Sequence, residues 1–560
     1  MHKTLYDRLM HRWQCMKDRR ESFEDQWREQ AAYVMPRAYR WLDEHWSKRG
    51  NKASKKIVDP EATIALRAME ASFSSNITPT NRPWKKPTVR GPLADNYNVK
   101  TYLEQVNDIM DIHILSSNFY SEAGKVYSQC GLFGTAAMLI EEDEEEDFRC
   151  ETLPIGSFWL GVDSKRRVNQ FARILDMTLA QAEEEFGSAN LTDQQRSAIE
   201  AGRGYSEEIQ ALHYIGPAEA ADGSFGMKYV SYYIDVSMSK SGGRQSGAAA
   251  DKYLKRGYYE EFPVVTPRWK VMSDDVYGLE CPGMIALGHI KELQHQRKQL
   301  AKAAEKQVDP PMQRPETATR KALDMTPGAD NIVARGAASE GARPLYQVTF
   351  DVGSTLQLIQ DLRSQIREVF FYNLFLMVAS ERRSGTKARE IEELHEEKML
   401  ILSTVYEQFS QEFLDPAIER IFKILERRGR MPIPPPEMQG QSFEIEYVSV
   451  MAQAMKLVGI GNMDRALAIL GQVASIDATV LDIIDLPRFA ESYIDRLGVD
   501  TRVKTSPEER EARAASRQAA QQQQAMQQQA QVQADTAKVL SDAKTDEDNA
   551  LTQLMGQTIG

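Results

Sequence analysis

Apolar and polar positions follow a helical period over the first part of this chain, and the period shortens after residue 134. Residues 3–34 read as a helix rich in charge and aromatics, with Trp13 and Trp27 set among Arg, Glu and Gln. A second helix starts at Asp59-Pro60-Glu61, where a capping acid, a proline at the first helical position and an acid in the first turn coincide. It runs through Ala71 and stops before Ile77-Thr78-Pro79. Asn81 to Pro87 reads as a proline-punctuated loop, and residues 97–127 as one further helix. From Gly134 onward, short runs rich in apolar, aromatic and β-branched residues predict strands of a largely antiparallel sheet. They are Ala136–Ile140, Phe148–Leu153, Phe158–Val162 and Val168–Leu175, then residues 207–215, 226–237 and 252–256. Two short helices, about 178–186 and 192–201, interrupt the series.

The helical period returns at 284–307, in an unusually polar form. After Leu300 no apolar stripe continues, and Lys291, Lys298, Lys302 and Lys306 make a basic face. Such a face is most simply a solvated one; a helix this poor in its own stripe otherwise persists by bridging subunits. Pro310-Pro311 ends it. A compact segment follows, with strand candidates at Asn331–Arg335 and Leu345–Phe350. Another long helix runs from Ser354 to about Leu376, with a packing seam through Ile359, Leu362, Ile366 and Val369 and a separate polar face through Gln360, Arg363, Ser364 and Arg367. Two long helices flanking a small insertion place that insertion at the tip of a helical hairpin. Residues 377–385 are polar, and Thr386 caps a third long helix with Leu402, Val405, Phe409 and Phe413 on one side and a kink expected at Pro416. A stiff linker at Pro432–Pro436, a strand at Phe443–Val448 and a smaller helical unit at 450–497 complete the ordered part. Beyond Ser506 the chain is rich in Arg, Ala and Gln, either disordered or helical when packed against copies of itself.

Composition narrows what this framework does. The 560 residues are enough for several packed units, and the 42% hydrophobic and 27% charged content is globular. No apolar run reaches the roughly 20 residues of a membrane span, and the N-terminus lacks the apolar core of a signal peptide, so folding is expected in a cytoplasm. Cys15, Cys130, Cys150 and Cys281 form no paired motif and read as small hydrophobes. A formal net charge of −12 argues against a static DNA-binding module, although a wall along which DNA slides gains nothing from tight binding. No phosphate-binding G-x-x-x-x-G-K-[ST] loop, G-x-S-x-G elbow or H-E-x-x-H spacing occurs. The fragments Gly459-Ile460-Gly461 and His395-Glu396-Glu397 lack the rest of the motifs they begin. The acidic run Glu141–Asp147 reads as a solvated hairpin tip that guards a sheet edge, ahead of a metal site. No catalytic residue, metal ligand or cofactor is predicted.

Six ordered blocks point further. They are Leu5-Tyr6 with the charged helix to Tyr33, Phe73 to Pro79 with Arg82-Pro83-Trp84, and Gly131 to Ala137. Pro154 to Leu160, Tyr277-Gly278, and Thr386-Lys387-Ala388-Arg389-Glu390-Ile391 follow. Together they resemble the head-to-tail connector, or portal, family of short-tailed bacteriophages, over about residues 3–500. The last block is similar to the Thr-Ala-Thr-Glu-Ile signature of many such proteins, with Lys387 and Arg389 in place of small residues. The resemblance implies a mainly helical α+β fold and a ring of twelve copies at one capsid vertex. It divides the chain into a wing (1–283 and 386–447), a two-helix stem (284–307 and 351–376) and a clip (308–350). A tunnel loop (377–385), a crown (448–505) and a Gln-rich tail (506–560) make up the remainder. It further implies a non-enzymatic conduit for genome packaging and ejection, sited between capsid and tail of the virion after assembly in the host cytoplasm. The implied partners are double-stranded DNA, the large terminase subunit, a tail adaptor, and scaffolding and major capsid proteins; no membrane is involved. Arg382, Arg383, Lys387 and Arg389 are the expected tunnel-loop contacts to phosphate, with Lys298, Lys302, Arg363 and Arg367 a weaker band on the stem. Ion pairing or solvation is the plain alternative for each. A monomeric virion scaffold or interaction protein, and a nucleic-acid enzyme, are the rival functions.

Overall fold

The computed structural model describes residues 5–42, 56–89, 91, 93, 96–219, 226–236, 253–315, 324, 326–333, 343–344, 351–372, 405–438, 444–447, 489–490, 493 and 507–542. Two compact units divide the chain. One comprises Met1–Pro87, Gln105–Ile433 and Glu444–Ala468, and the other Thr88–Glu104, Pro434–Phe443 and Ile469–Gly560.

The first unit mixes helix and sheet. Its helices are α1 (Leu5–Tyr33), α2 (Glu61–Asn76) and α4 (Phe119–Phe133), with α3 (Tyr97–Ser116) entering it from Gln105. Its strands include β2 (Ala137–Asp143), β3 (Asp147–Leu153), β4 (Phe158–Val162), β5 (Val168–Thr178), β6 (Glu208–Pro217), β7 (Tyr229–Asp235) and β8 (Lys255–Tyr259). They form two antiparallel sheets rather than one: β3-β2-β9, where β9 is Val264–Val265, and β4-β5-β6-β7-β8. The five-stranded sheet is covered on both faces, so its central strands β6 and β7 are buried at consecutive positions. Leu212, Tyr214, Tyr232 and Ile234 pack with Leu9 and Met16 of α1. The alternate positions Ile209, Ala211 and Tyr233 pack on the short helices α5 (Leu179–Phe186) and α6 (Asp193–Glu200). Each of these helices opens with a reciprocal capping box, Thr178 with Gln181 and Thr192 with Gln195.

An aromatic cluster joins α2 and α4 to the C-terminal helical segment. Phe73, Tyr127, Trp269, Phe409 and Phe413 meet at ring separations of 5.4–6.3 Å. Beside it, Gly134 (φ 79°) lies so close to Gly278 that a Cβ there would sit 2.3 Å from the Gly278 carbonyl oxygen. A Cβ on Gly131 would run into Met69. Gly134 and Gly278, one in each of two motif blocks, therefore serve close backbone approach.

After the short α7 (Pro282–Ile285), α8 (Leu287–Val308) and α9 (Val352–Val369) pack on each other. Between them in sequence lies a small sheet, β11-β10-β12, made of Met312–Pro315 (β10), Asp330–Val333 (β11) and Arg343–Pro344 (β12). Residues 405–409 are helical, a π-turn occupies Ser410–Leu414, and α10 spans Asp415–Arg427.

Several expectations change. The single helix over 97–127 is two, broken where Ser117 accepts the Phe119 amide and Asn118 brackets Cys150 through its amide N–H (2.7 Å) and carbonyl oxygen (3.0 Å). The second hairpin helix ends at Val369, because Phe371 adopts a left-handed φ of 59° and stacks on Trp269. The proline-rich loop contains a strand, β1 (Lys85–Thr88), paired with β13 (Glu444–Tyr447). Pro87 is tolerated there because a two-stranded ribbon leaves one side of each strand unpaired. The irregularity at Pro416 is a π-turn just before it: proline has no N–H to return to Glu412. The strand expected at Leu345–Phe350, the third helix up to residue 404, and almost all of the 450–497 unit lie outside the described residues.

In the second unit, α11 (Pro507–Asp542) is one continuous helix. Its described side chains are exposed along its length, including Met526 and Val532.

Candidate functional site: the helical hairpin and its base

The hairpin has two unlike halves. Near its base, α8 buries Leu287, Ile290, Leu293 and Gln294, and α9 buries Ile359, Leu362 and Ile366. Toward the small sheet, residues 298–308 and 352–358 bury nothing fully. Val308 is 86% exposed, and Val352, Leu356 and Leu358 are 39–42% exposed. Val352 and Leu356 lie four residues apart on one side of α9. Leu358 lies about 200° further round, at about 100° per residue.

The base is held by polar bonds as well as apolar packing. Gln294 accepts hydrogen bonds from the backbone amides of Val58 (2.7 Å) and Asp59 (2.8 Å) and donates to the Asp59 carbonyl (2.8 Å). The Asp59 carboxylate is buried ahead of α2, where it accepts from the Glu61 amide at 3.1 Å. Three arginines converge on this turn. Arg363 Nη2 donates to Asp59 Oδ2 at 2.7 Å while its Nε lies 3.7 Å from Glu61 Oε2. Arg297 Nε lies 3.3 Å from the same Asp59 oxygen, and Arg367 Nε donates to Glu61 Oε1 at 2.6 Å. The Glu61 bond holds the Arg367 guanidinium above its ordinary range.

The expected stem residues thus separate into two kinds. Lys298 and Lys302 are exposed on the outer half of α8. Arg363 and Arg367 are engaged within their own chain, an arrangement the sequence could not reveal because Asp59 and Glu61 lie about 300 residues away. On the same helix as the lysines, Lys291 is paired with Glu29 of α1 at 2.5 Å. Arg382, Arg383, Lys387 and Arg389 lie outside the described residues.

Two other polar clusters sit in the same unit. In the five-stranded sheet Arg173 Nε donates to His213 Nδ1 at 3.2 Å, so the His213 proton is on Nε2, 3.0 Å from Ser231 Oγ. The His213 ring stacks on Tyr233 at 4.0 Å, and Arg173 also binds Glu151 at 2.7 Å. Burial, reinforced by the Arg173 charge, pushes His213 well below the usual imidazole range. The acidic run forms the β2–β3 turn, with Glu144, Glu145 and Glu146 exposed. Its flanks face arginines: Glu142 pairs with Arg427 at 2.7 Å, and Asp147 with Arg428 and Arg430 at 3.4 and 3.5 Å. Asp147 also meets His113 at 3.0 Å. Among the described residues no group of His, Cys, Asp or Glu is arranged to hold a metal ion, and no helix is long and apolar enough to cross a membrane.

Known proteins share this chain's sequence over nearly its whole length. The family described as bacteriophage head to tail connecting protein matches residues 6–504. A protein named portal protein from Salmonella phage epsilon15 is 33% identical over 563 residues, covering 99% of this chain and 98% of its own. The probable portal protein of Bordetella phage BPP-1 is 33% identical over 555 residues, with 98% and 97% covered.

Proposed function

The chain belongs to the bacteriophage head-to-tail connecting protein family, and from that premise we propose that it is a portal subunit: a structural, non-enzymatic virion protein at the head–tail junction. The observation that carries this reading is the end-to-end similarity to two portal proteins. Twelve copies form a closed ring, assembled in the host cytoplasm, whose channel passes double-stranded DNA inward during packaging and outward during ejection. The α8–α9 hairpin serves as the stem and residues 308–350 as the clip. The clip docks first the large terminase subunit and later the tail adaptor, while the ring periphery meets scaffolding and major capsid proteins.

The outer hairpin supports the ring. In a closed cyclic assembly every interface is head-to-tail, so each subunit needs contact surfaces on two flanks. Aliphatic side chains on opposite sides of α9, exposed within the single chain, suit a neighbour on each side. The residues 448–505 form the crown, and α11 gains partners from its own copies.

DNA contact falls to Arg382, Arg383, Lys387 and Arg389 at the constriction, with Lys298 and Lys302 along the stem. Twelvefold repetition would give non-specific phosphate contacts without tight gripping, compatible with a subunit of net charge −12. Native mass measurement and negative-stain imaging test the ring: closed rings with a central hole are expected, and a persistent monomer at micromolar concentration overturns the proposal. Arg382→Glu with Arg383→Glu tests the channel. Rings should form while packaging and ejection fall, and unaffected DNA passage through intact rings removes these residues from the contact set.

A further inference from the structure

We infer that Asp59 and Glu61 form a clamp that fixes the base of the α8–α9 hairpin to α2, and that Arg363 and Arg367 hold this clamp closed instead of lining a DNA path. Four side chains from the two hairpin helices, Gln294, Arg297, Arg363 and Arg367, end on one turn, residues 58–61. Asp59 is 1% exposed, so withdrawing its arginines would leave a buried carboxylate without its counter-charge. An approaching phosphate would have to meet that cost to claim Arg363, and the matching cost at Glu61, which is 5% exposed, to claim Arg367. Arg363 also reaches both acids with two separate nitrogens, Nη2 donating to Asp59 at 2.7 Å and Nε 3.7 Å from Glu61, a span that a lysine would have to cover from one atom. Beyond the clamp the hairpin is exposed. Together with the apolar packing at the base, the clamp therefore sets the angle of the hairpin to the rest of its unit, and opening it loosens that base.

This inference concerns one subunit and stands apart from the ring. It is tested on the full-length protein by hydrogen exchange, read by segment. Arg363→Lys with Arg367→Lys keeps both positive charges but loses the fork. About tenfold faster exchange is expected in residues 290–297 and 359–369, with α4 and the five-stranded sheet unchanged. Asp59→Asn with Glu61→Gln also releases Arg297 and should accelerate the same segments at least as much, and adding the two lysine changes to it should add little, because the lysines then meet no acid. Wild-type exchange in the lysine variant overturns the clamp. So do additive effects of the two pairs, and so does acceleration that spreads equally to α4. If the Asp59 and Glu61 variant does not fold, the lysine variant decides alone. A DNA-contact role for Arg363 and Arg367 instead predicts unchanged exchange with altered DNA passage, which also overturns it.

Discussion

The five-stranded sheet and the helical hairpin solve the problem of burial in opposite ways. In the sheet, both sets of alternate side chains are covered by helices of the same chain, α1 on one face and α5 with α6 on the other. The hairpin fully buries side chains only near its base. One region is thus complete within the chain, and the other leaves much of its surface uncovered. Substitutions in the two regions should therefore report on different events.

The largest effect is expected from Phe171→Ala. Phe171 is fully buried in β5, where it stacks on Phe158 and meets the edge of His213. A loss of about 3–5 kcal/mol of unfolding free energy should appear as a lower urea midpoint. A loss below about 1 kcal/mol would mean that the sheet is not the self-sufficient body it looks.

Acid should act next, again on the sheet. His213 is neutral when folded and its imidazole range is depressed, whereas the unfolded chain takes up a proton near pH 6.5. Stability carried by the neutral ring is thus complete above that pH and is lost as the pH falls below it, by at most about 1.4 kcal/mol per pH unit. Urea midpoints at pH 7.5 and 5.5, compared between wild type and His213→Gln, measure this. Equal slopes in the two proteins would exclude His213 as the source.

Arg427→Ala, which removes the partly exposed pair with Glu142 and the contacts to Glu261, should cost no more than about 1 kcal/mol. The smallest stability change belongs to the hairpin. Val352→Ser with Leu356→Ser should shift the midpoint of the single chain by about 0.5 kcal/mol or less, yet reduce ring yield in native mass spectra. A large loss in the monomer would show that these side chains are already buried within the subunit and would erase the contrast.

Legibility in the sequence divides along similar lines. Strands β2 to β8 and helices α5 and α6 were readable because turn residues and caps sit directly beside alternating apolar runs. The hairpin was readable for a similar local reason: Pro310-Pro311 ends its first helix, and the seam through Ile359, Leu362 and Ile366 marks its second. What escaped depends on distant partners. The break between α3 and α4 needs Asn118 to reach Cys150, and β1 exists because β13 comes alongside. The polar face of α9 was visible, but the acids it serves belong to a turn remote in the chain. Trp84, read as part of a stiff loop, has its indole buried and donating to the Tyr120 hydroxyl at 3.1 Å.

The π-turn at Ser410–Leu414 has a consequence of its own. It accommodates one surplus residue in a helix whose two sides are both pinned, by Phe409 and Phe413 against Tyr127 and by Ile418, Ile421 and Ile424 in the interior beyond. Excising a single residue there would swing Phe409 about 100° away from its aromatic neighbours. The turn works as a vernier: it reconciles two helical alignments that would otherwise be out of step by one position.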